Sequence, residues 1–263
     1  MRYLDYYIEH DLAETADGHL IKVIELDLPE DEEIFDEWAS HLRDHYCSLS
    51  EIDGLRNGIG CTRVEYLTNI KFPSQNEDFG PATRSGDFTE ILIADYIEFI
   101  EGYFIPRTRY DRKITRNSSS QGSDLIAFKM GEVISRNDEL VIYEVKAQAS
   151  NREPKNRMQD AINDSKKDVK RLAESLNAIN QRLLDKGEYD SANIIQRFQN
   201  RTDRPYKLKY GAAAVHSTYS FSAEKLKECN VENEDTDSVK LLVVYSEDLM
   251  QKIHDIYRRA AIC

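Results

Sequence analysis

Apolar and polar positions alternate along this chain with two different periods, and the two together predict an α/β protein. Residues 19–28 carry a strand-like set (Leu20, Val23, Ile24, Leu26, Leu28). Pro29 then opens an acidic helix to about Tyr46, with Ile34, Phe35, Trp38 and Leu42 on one stripe. Asp53-Gly54 and Asn57-Gly58-Ile59-Gly60 read as turns, and Arg63 to Ile70 as another strand. Gln75 to Ser85, rich in Asn, Gly, Pro and Ser, marks a boundary between an acidic α+β amino-terminal subdomain (1–80) and a core (81–263).

The core opens with Gly86 to about Glu101, a helix started by Ser85 or Gly86 and apolar around most of its circumference, hence buried. A short strand near Tyr103, a basic loop ending in Asn117-Ser-Ser-Ser-Gln-Gly122, and the apolar runs Leu125–Phe128 and Leu140–Tyr143 follow. After Pro154 comes a long helix with apolar or small residues at 158, 162, 165, 169, 172, 176, 179 and 183, a narrow seam suited to core packing. A second helix (188–200), a small-residue strand (Tyr210–His216), an acidic loop (228–238), a central strand (Lys240–Tyr245) and a closing helix from Glu247 complete the chain. The predicted fold is α/β: an αβββαβ core whose mixed sheet is flanked by helices.

Candidate chemistry sits at the edge of the two middle strands. Asp124 opens one run, and 20 positions later Glu144-Val145-Lys146 closes the next. Strand side chains alternate faces, so Glu144 and Lys146 project to one side. If the runs pair, Asp124 comes beside Glu144. Two carboxylates and an ammonium there can hold a hard divalent cation and orient a water, as metal-dependent phosphodiester hydrolysis requires. An acid two residues before a lysine also occurs at Asp111/Lys113, Glu153/Lys155, Asp164/Lys166 and Asp168/Lys170, but only the Glu144 copy lies in an uninterrupted β-branched and aromatic run. The bland reading is a cross-strand ion pair on a solvated face. Glu90 shares a helix face with Ala94 and Ile97, so its carboxylate enters the interior with no cation in local sequence. A metal offsets such a cost, and so does the helix dipole if Glu90 lies in the first turn.

Charge refines this picture. Residues 1–80 hold 19 acids and 6 bases, which is the whole net charge of −13, and the remainder is balanced. Within it the bases cluster. Arg107, Arg109, Arg112, Lys113 and Arg116 face only Asp111 locally, and Arg197, Arg201, Arg204, Lys207 and Lys209 face only Asp203. With Tyr110 and Tyr206 interleaved, such clusters can follow a phosphate backbone, although a charged run is more often a solvated face. Lys166, Lys167, Lys170 and Arg171 on the long helix could add contacts. Global acidity disfavours strong unaided nucleic-acid binding and favours a partner that delivers DNA.

At 263 residues, 40% hydrophobic, the chain can bury a sizeable core. No apolar run approaches the roughly 20 residues needed to span a bilayer, so no membrane role is expected. Met1-Arg-Tyr-Leu-Asp-Tyr-Tyr has no apolar signal core. Cys47, Cys61, Cys229 and Cys263 are scattered without a CxxC, which fits reduced thiols in a cytoplasmic protein. His41 and His45 share a helical face, but without a third ligand in view they do not make a zinc site.

Glu90, Asp124 and Glu144-Val145-Lys146 together resemble the PD-(D/E)xK nuclease superfamily. More narrowly, Arg84-Ser-Gly-Asp-Phe-Thr-Glu90, Gln121-Gly-Ser-Asp124 and Tyr143-Glu-Val-Lys146 resemble the nuclease subunit of Hachiman-type bacterial anti-phage systems, to which the Abp family is close. The superfamily likeness covers about residues 85–216 and the narrower one nearly the whole chain. Ser123 stands where a proline often precedes the aspartate, and no QxxxY of the RecB-like branch follows the core helix. The resemblance implies a Mg²⁺-dependent DNA nuclease, with Mn²⁺ able to replace Mg²⁺, working beside and restrained by a superfamily 2 helicase encoded with it.

In that scheme Asp124 and Glu144 bind the metal, the Val145 carbonyl adds a ligand, and Glu90 acts directly or through a water. Lys146 orients or deprotonates the attacking water and offsets charge on the phosphate. Arg107, Arg109, Arg112, Lys113, Gln148, Lys166 and Lys170 are the expected DNA contacts. The alternative from another class is a non-catalytic adaptor with a relic nuclease core that binds the helicase. RNA as substrate also stays open, since no base-stacking motif is evident.

Overall fold

The computed structural model describes residues 1–119, 122–168, 171–232 and 238–263. Gln121 of the quoted motif, Val169 of the seam, Lys170 and residues 233–237 of the acidic loop lie outside the described residues.

The strands are β1 (Tyr7–Glu9), β2 (Ala13–Glu14), β3 (Leu20–Leu26), β4 (Leu125–Lys129), β5 (Glu139–Gln148), β6 (Lys207–Ser217) and β7 (Val239–Ser246). They form one seven-stranded mixed sheet in the order β1-β3-β7-β6-β5-β4, with β2 also paired to β3. The middle four run parallel, and β4 and β1 are antiparallel at the two edges. The helices are α1 (Glu32–Tyr46), α2 (Leu49–Asn57), α3 (Arg63–Tyr66), α4 (Gly80–Asp95), α5 (Arg157–Asp168), α6 (Leu172–Lys186), α7 (Tyr189–Gln199), α8 (Ala223–Lys227) and α9 (Leu249–Ile262). The expected α/β architecture, a mixed sheet between helices, is therefore what the chain adopts.

Alternation along each strand sorts the core into two layers. Val141, Tyr143, Ala213, Val215, Leu242 and Val244 face α1, α4 and α9. Leu140, Ile142, Ala212, Ala214, Leu241 and Val243 face the opposite way, under α5, α6 and α7. The parallel strands are covered on both faces, so they read as continuous apolar runs. Tyr143 lies flat over Gly211, where an added Cβ would come within 2.1 Å of the ring. The residue just before Glu144 is held by this contact.

Several expectations change. Residues 1–80 contribute β1–β3 to the same sheet, and α1 packs into the same core layer as α4 and α9. The strand expected at Arg63–Ile70 is helical, α3 followed by a π-helical turn (Leu67–Lys71). Its start is fixed by a Thr62/Glu65 capping box, and that local pair overrides the β-branched residues. Likewise a Ser48/Glu51 capping box starts α2 through the Asp53-Gly54 step read as a turn. The strand near Tyr103 is reduced to a single bridge, Phe104 to Phe128. The long seam belongs to two helices. Met158 and Ile162 of α5 pack on β3, β6 and β7, while Leu176 and Leu183 of α6 pack on β4, β5 and α7.

His216, near the end of β6, is buried, and desolvation pushes its imidazole down to about 4 from 6.5. The unfolded chain therefore binds a proton that the folded one refuses, and stability falls as pH drops from 6.5 toward about 4. The full loss is about 3 kcal/mol. In urea titrations across this range, His216→Gln should lose that part of the acid sensitivity; an unchanged slope would contradict it.

Candidate active site

The site is built on α4, which packs against the sheet beside β5. Gly80 starts this helix because a Cβ there would meet the Ser74 carbonyl at 2.5 Å, and Pro81 sets the first turn. Most later residues of α4 are buried, Asp87 and Asp95 among them, and Glu90 is largely so. Asp87, Glu90 and Asp95 lie along a helix that brings no base of its own to them.

The basic loop supplies the missing cations. Lys113 pairs with Asp87 in the interior, where Tyr46 Oη also donates to Asp87 at 2.7 Å. Arg107 Nη2 lies 2.7 Å from Asp95 Oδ1, and Arg107 also pairs with Glu98. Arg109 Nε stands 2.8 Å from Glu90 Oε2, an ionic contact outside hydrogen-bond angles, while its Nη2 donates to Asp124 Oδ1 at 2.9 Å. Arg84 donates to the Pro73 carbonyl at 2.9 and 2.7 Å and lies over the Tyr257 ring. The segment Arg84–Glu90 thus places one anchor and two acids on successive turns.

Glu90 is the most perturbed acid of the group. Desolvation pushes its carboxyl up to about 8, opposed by Arg109 and reinforced by Asp124 and Asp87, and Tyr110 Oη donates to it at 2.6 Å. Burial also raises Asp87 despite Lys113. For Arg109, burial acts to lower the guanidinium, but Glu90, Tyr110, Asp124 and Asp87 outweigh it and hold the charge firmly.

Asp124 sits one step before Leu125, which pairs with Tyr143, so it falls across from Glu144. Gly122 turns the chain into this edge at φ +95, in the left-handed region. With β4 ended, the Val145 N–H bonds Asp124 Oδ2 instead, at 3.0 Å. A residue's N–H and C=O leave a strand on the same side, so the Val145 carbonyl also points to this edge beyond the ladder. Lys146 lies on the same strand face as Glu144 and bonds both Glu144 and, at 2.8 Å, Asp164 of α5. Burial lowers the Lys146 ammonium, but these two acids outweigh it and raise it well above its ordinary value. Lys146 is a fixed cation in this arrangement.

Glu90, Asp124 and Glu144 do not close on one point. Among the described residues, only His41, His45 and Asp95 bring three ligand atoms within 4.8 Å of one another. The guanidinium of Arg109 occupies the space between Glu90 and Asp124. The donors still suit a hard cation in kind: carboxylate oxygens, a strand-edge carbonyl, and a buried acid whose charge is costly. A cavity of about 770 Å³ opens over Glu90 and Asp124, with Arg107, Arg109, Arg171 and Arg182 on its wall.

The structure places most of the expected DNA contacts in inward or local pairings. Arg107, Arg109 and Lys113 face inward, each paired with an interior acid of α4. Gln148 is buried and ties the following turn through the Arg152 and Glu153 carbonyls and the Lys155 N–H. Lys166 donates to the Val231 carbonyl at 2.7 Å. Among the described residues Arg112 is the exposed member, paired with Asp185 across the surface. In the second cluster, Arg197 pairs with buried Asp138 and Lys209 with Glu139. Sequence reading missed Asp164, Tyr110 and the bridging role of Arg109. Asp164 was visible as an acid-x-Lys, but its partner lies on another element.

This fold and strand edge define an α/β protein with a nuclease-like core. The chain belongs to the HamA family, which it matches over residues 1–260, and so to the Hachiman anti-phage defence system. No curated protein matches it. Among the described residues no helix is long and apolar enough to cross a membrane.

Removing Lys113 leaves Asp87 in the interior without its paired cation. Lys113→Ala should lower unfolding free energy by about 3–5 kcal/mol, measured in urea. Replacing both partners with apolar residues should recover much of that loss. A double variant no better than the single one would show the pair is not the cause.

Proposed function

We propose that this protein is a divalent-metal-dependent DNA nuclease of the PD-(D/E)xK type, acting in Hachiman defence beside a superfamily 2 helicase that restrains it. The observation that carries the reading is the strand edge itself: Asp124 across from Glu144, with Lys146 on the Glu144 face and Glu90 opening onto the adjoining cavity. Asp124, Glu144 and the Val145 carbonyl would hold Mg²⁺, or Mn²⁺ in its place, with Glu90 acting directly or through a water. When bound, the metal supplies an activated water and neutralises charge on the phosphate.

The chain's own residues do the rest. Lys146, kept protonated by Glu144 and Asp164, donates to a phosphate oxygen and offsets the charge that builds there. That role replaces proton abstraction, which needs a neutral amine. Arg109 leaves the carboxylates and turns to the cavity, where it and Arg171 and Arg182 meet the DNA backbone. Arg112 adds a surface contact.

One observation favours the rival, a non-catalytic adaptor with a relic core: Arg109 already pairs with Glu90 and with Asp124, one of the two carboxylates that would hold the metal. Thermal melts with and without Mg²⁺ separate the two. A nuclease shows a Mg²⁺-dependent rise that Asp124→Asn and Glu144→Gln remove; an adaptor shows none.

Incubated with plasmid DNA, alone and with the neighbouring helicase, the protein should cleave in Mg²⁺ and not in EDTA. Lys146→Ala should lower the cleavage rate by about 100-fold or more, as loss of a charge-stabilising donor does. Its melt should change little, because Glu144 and Asp164 keep contact with solvent. Wild-type rates in Lys146→Ala would end the assignment.

A further inference from the structure

We infer that His41, His45 and Asp95 form a second metal site, selective for a transition-metal ion of the Zn²⁺ class, which clips α1 to the end of α4. The two histidines lie one turn apart on α1, and Asp95 is the last residue of α4. His45 Nε2 and His41 Nε2 are 3.2 Å apart, and His41 Nε2 is 3.0 Å from Asp95 Oδ1. All three ligand atoms lie within 4.8 Å of one another. Zinc–ligand bonds of about 2.0–2.1 Å in a tetrahedron put neighbouring ligands about 3.3 Å apart. The protein holds the two measured edges close to that spacing.

Proton counting points the same way. With neutral imidazoles, a hydrogen on His41 Nε2 must serve both the Asp95 oxygen and the His45 lone pair. Without that hydrogen, His41 Nε2 turns a lone pair toward a carboxylate oxygen. If both Nε2 atoms are protonated, the hydrogens collide. A central cation satisfies all three atoms at once. Two interactions hold Asp95 in place: Tyr3 Oη donates to Oδ2 at 2.5 Å, and Arg107 lies against Oδ1. Arg107 disfavours a hard ion that depends on carboxylate charge, but it leaves the imidazoles to select a borderline metal. Glu98, which shares Arg107 Nη2 with Asp95, returns a negative charge to the surroundings. His41 keeps 23% of its side-chain surface exposed, which gives an ion a way in, and His45 borders the large cavity, where a water can take the fourth position.

The site shares no ligand with the strand edge, so its test is independent of nuclease activity. Full-length protein, free of any affinity tag, is equilibrated with Zn²⁺ in excess Mg²⁺, desalted and assayed for metal. One Zn²⁺ per chain is expected, with a melting temperature several degrees above the chelator-treated protein. Co²⁺ in its place should give the visible absorption of a tetrahedral nitrogen–oxygen site. His41→Ala, at the most exposed ligand, should weaken Zn²⁺ binding by about 100-fold or more, whereas Asp124→Asn should leave it intact. The site is refuted if the unmodified chain takes up no stoichiometric zinc. Retention of zinc in folded His41→Ala, or its loss in Asp124→Asn, refutes it equally. Should His41→Ala not fold, the metal content and Co²⁺ spectrum of the unmodified chain decide alone.

Discussion

The interior of this protein depends on how one helix pays for its acids. α4 is buried along most of its length yet carries Asp87, Glu90 and Asp95, and one loop returns a base to each: Lys113, Arg109 and Arg107 in turn. Loop and helix run past one another, so the order of the bases is the reverse of the order of the acids. Each ion pair alone would be a doubtful source of stability, since desolvation offsets much of the attraction. Together they act as a ruler that fixes the loop against the helix. The same ruler brings Arg109 to Asp124 and joins α4 to the strand edge.

That arrangement explains how much of the molecule was legible. The long strands and α4 follow from apolar periodicity, because both faces of the sheet are covered and the helix is surrounded. Asp124, Glu144 and Lys146 could be placed on one edge, because strand alternation and antiparallel pairing are local rules. The two sequence puzzles, a buried Glu90 without a local cation and a basic run without local acids, turn out to answer each other. Their partners lie on different elements, and no local pattern records such a pairing. The same blindness hid Asp164 beneath Lys146 and Asp95 beside the histidines of α1.

Where local chemistry outvoted pattern, pattern lost. Two capping boxes turned α2 and α3 into helices where turn residues and β-branched residues argued otherwise. The acidic amino-terminal segment also proved less separate than its charge suggested. β3 pairs directly with β7, so residues 1–80 extend the sheet and share its core. Charge segregation along a chain is a statement about surface, and the backbone can still thread both parts into one layer.

The stacking of Tyr143 on Gly211 carries a lesson for anyone altering this molecule. The ring fills the space that a side chain at 211 would need, so even alanine there must displace the Tyr143 ring, on the residue preceding Glu144. Position 211 is therefore intolerant of any growth, although it lies on a different strand and bears no chemistry. A random library screened only for loss of function would flag this glycine alongside the acids and the lysine, and would mistake a spacer for a participant.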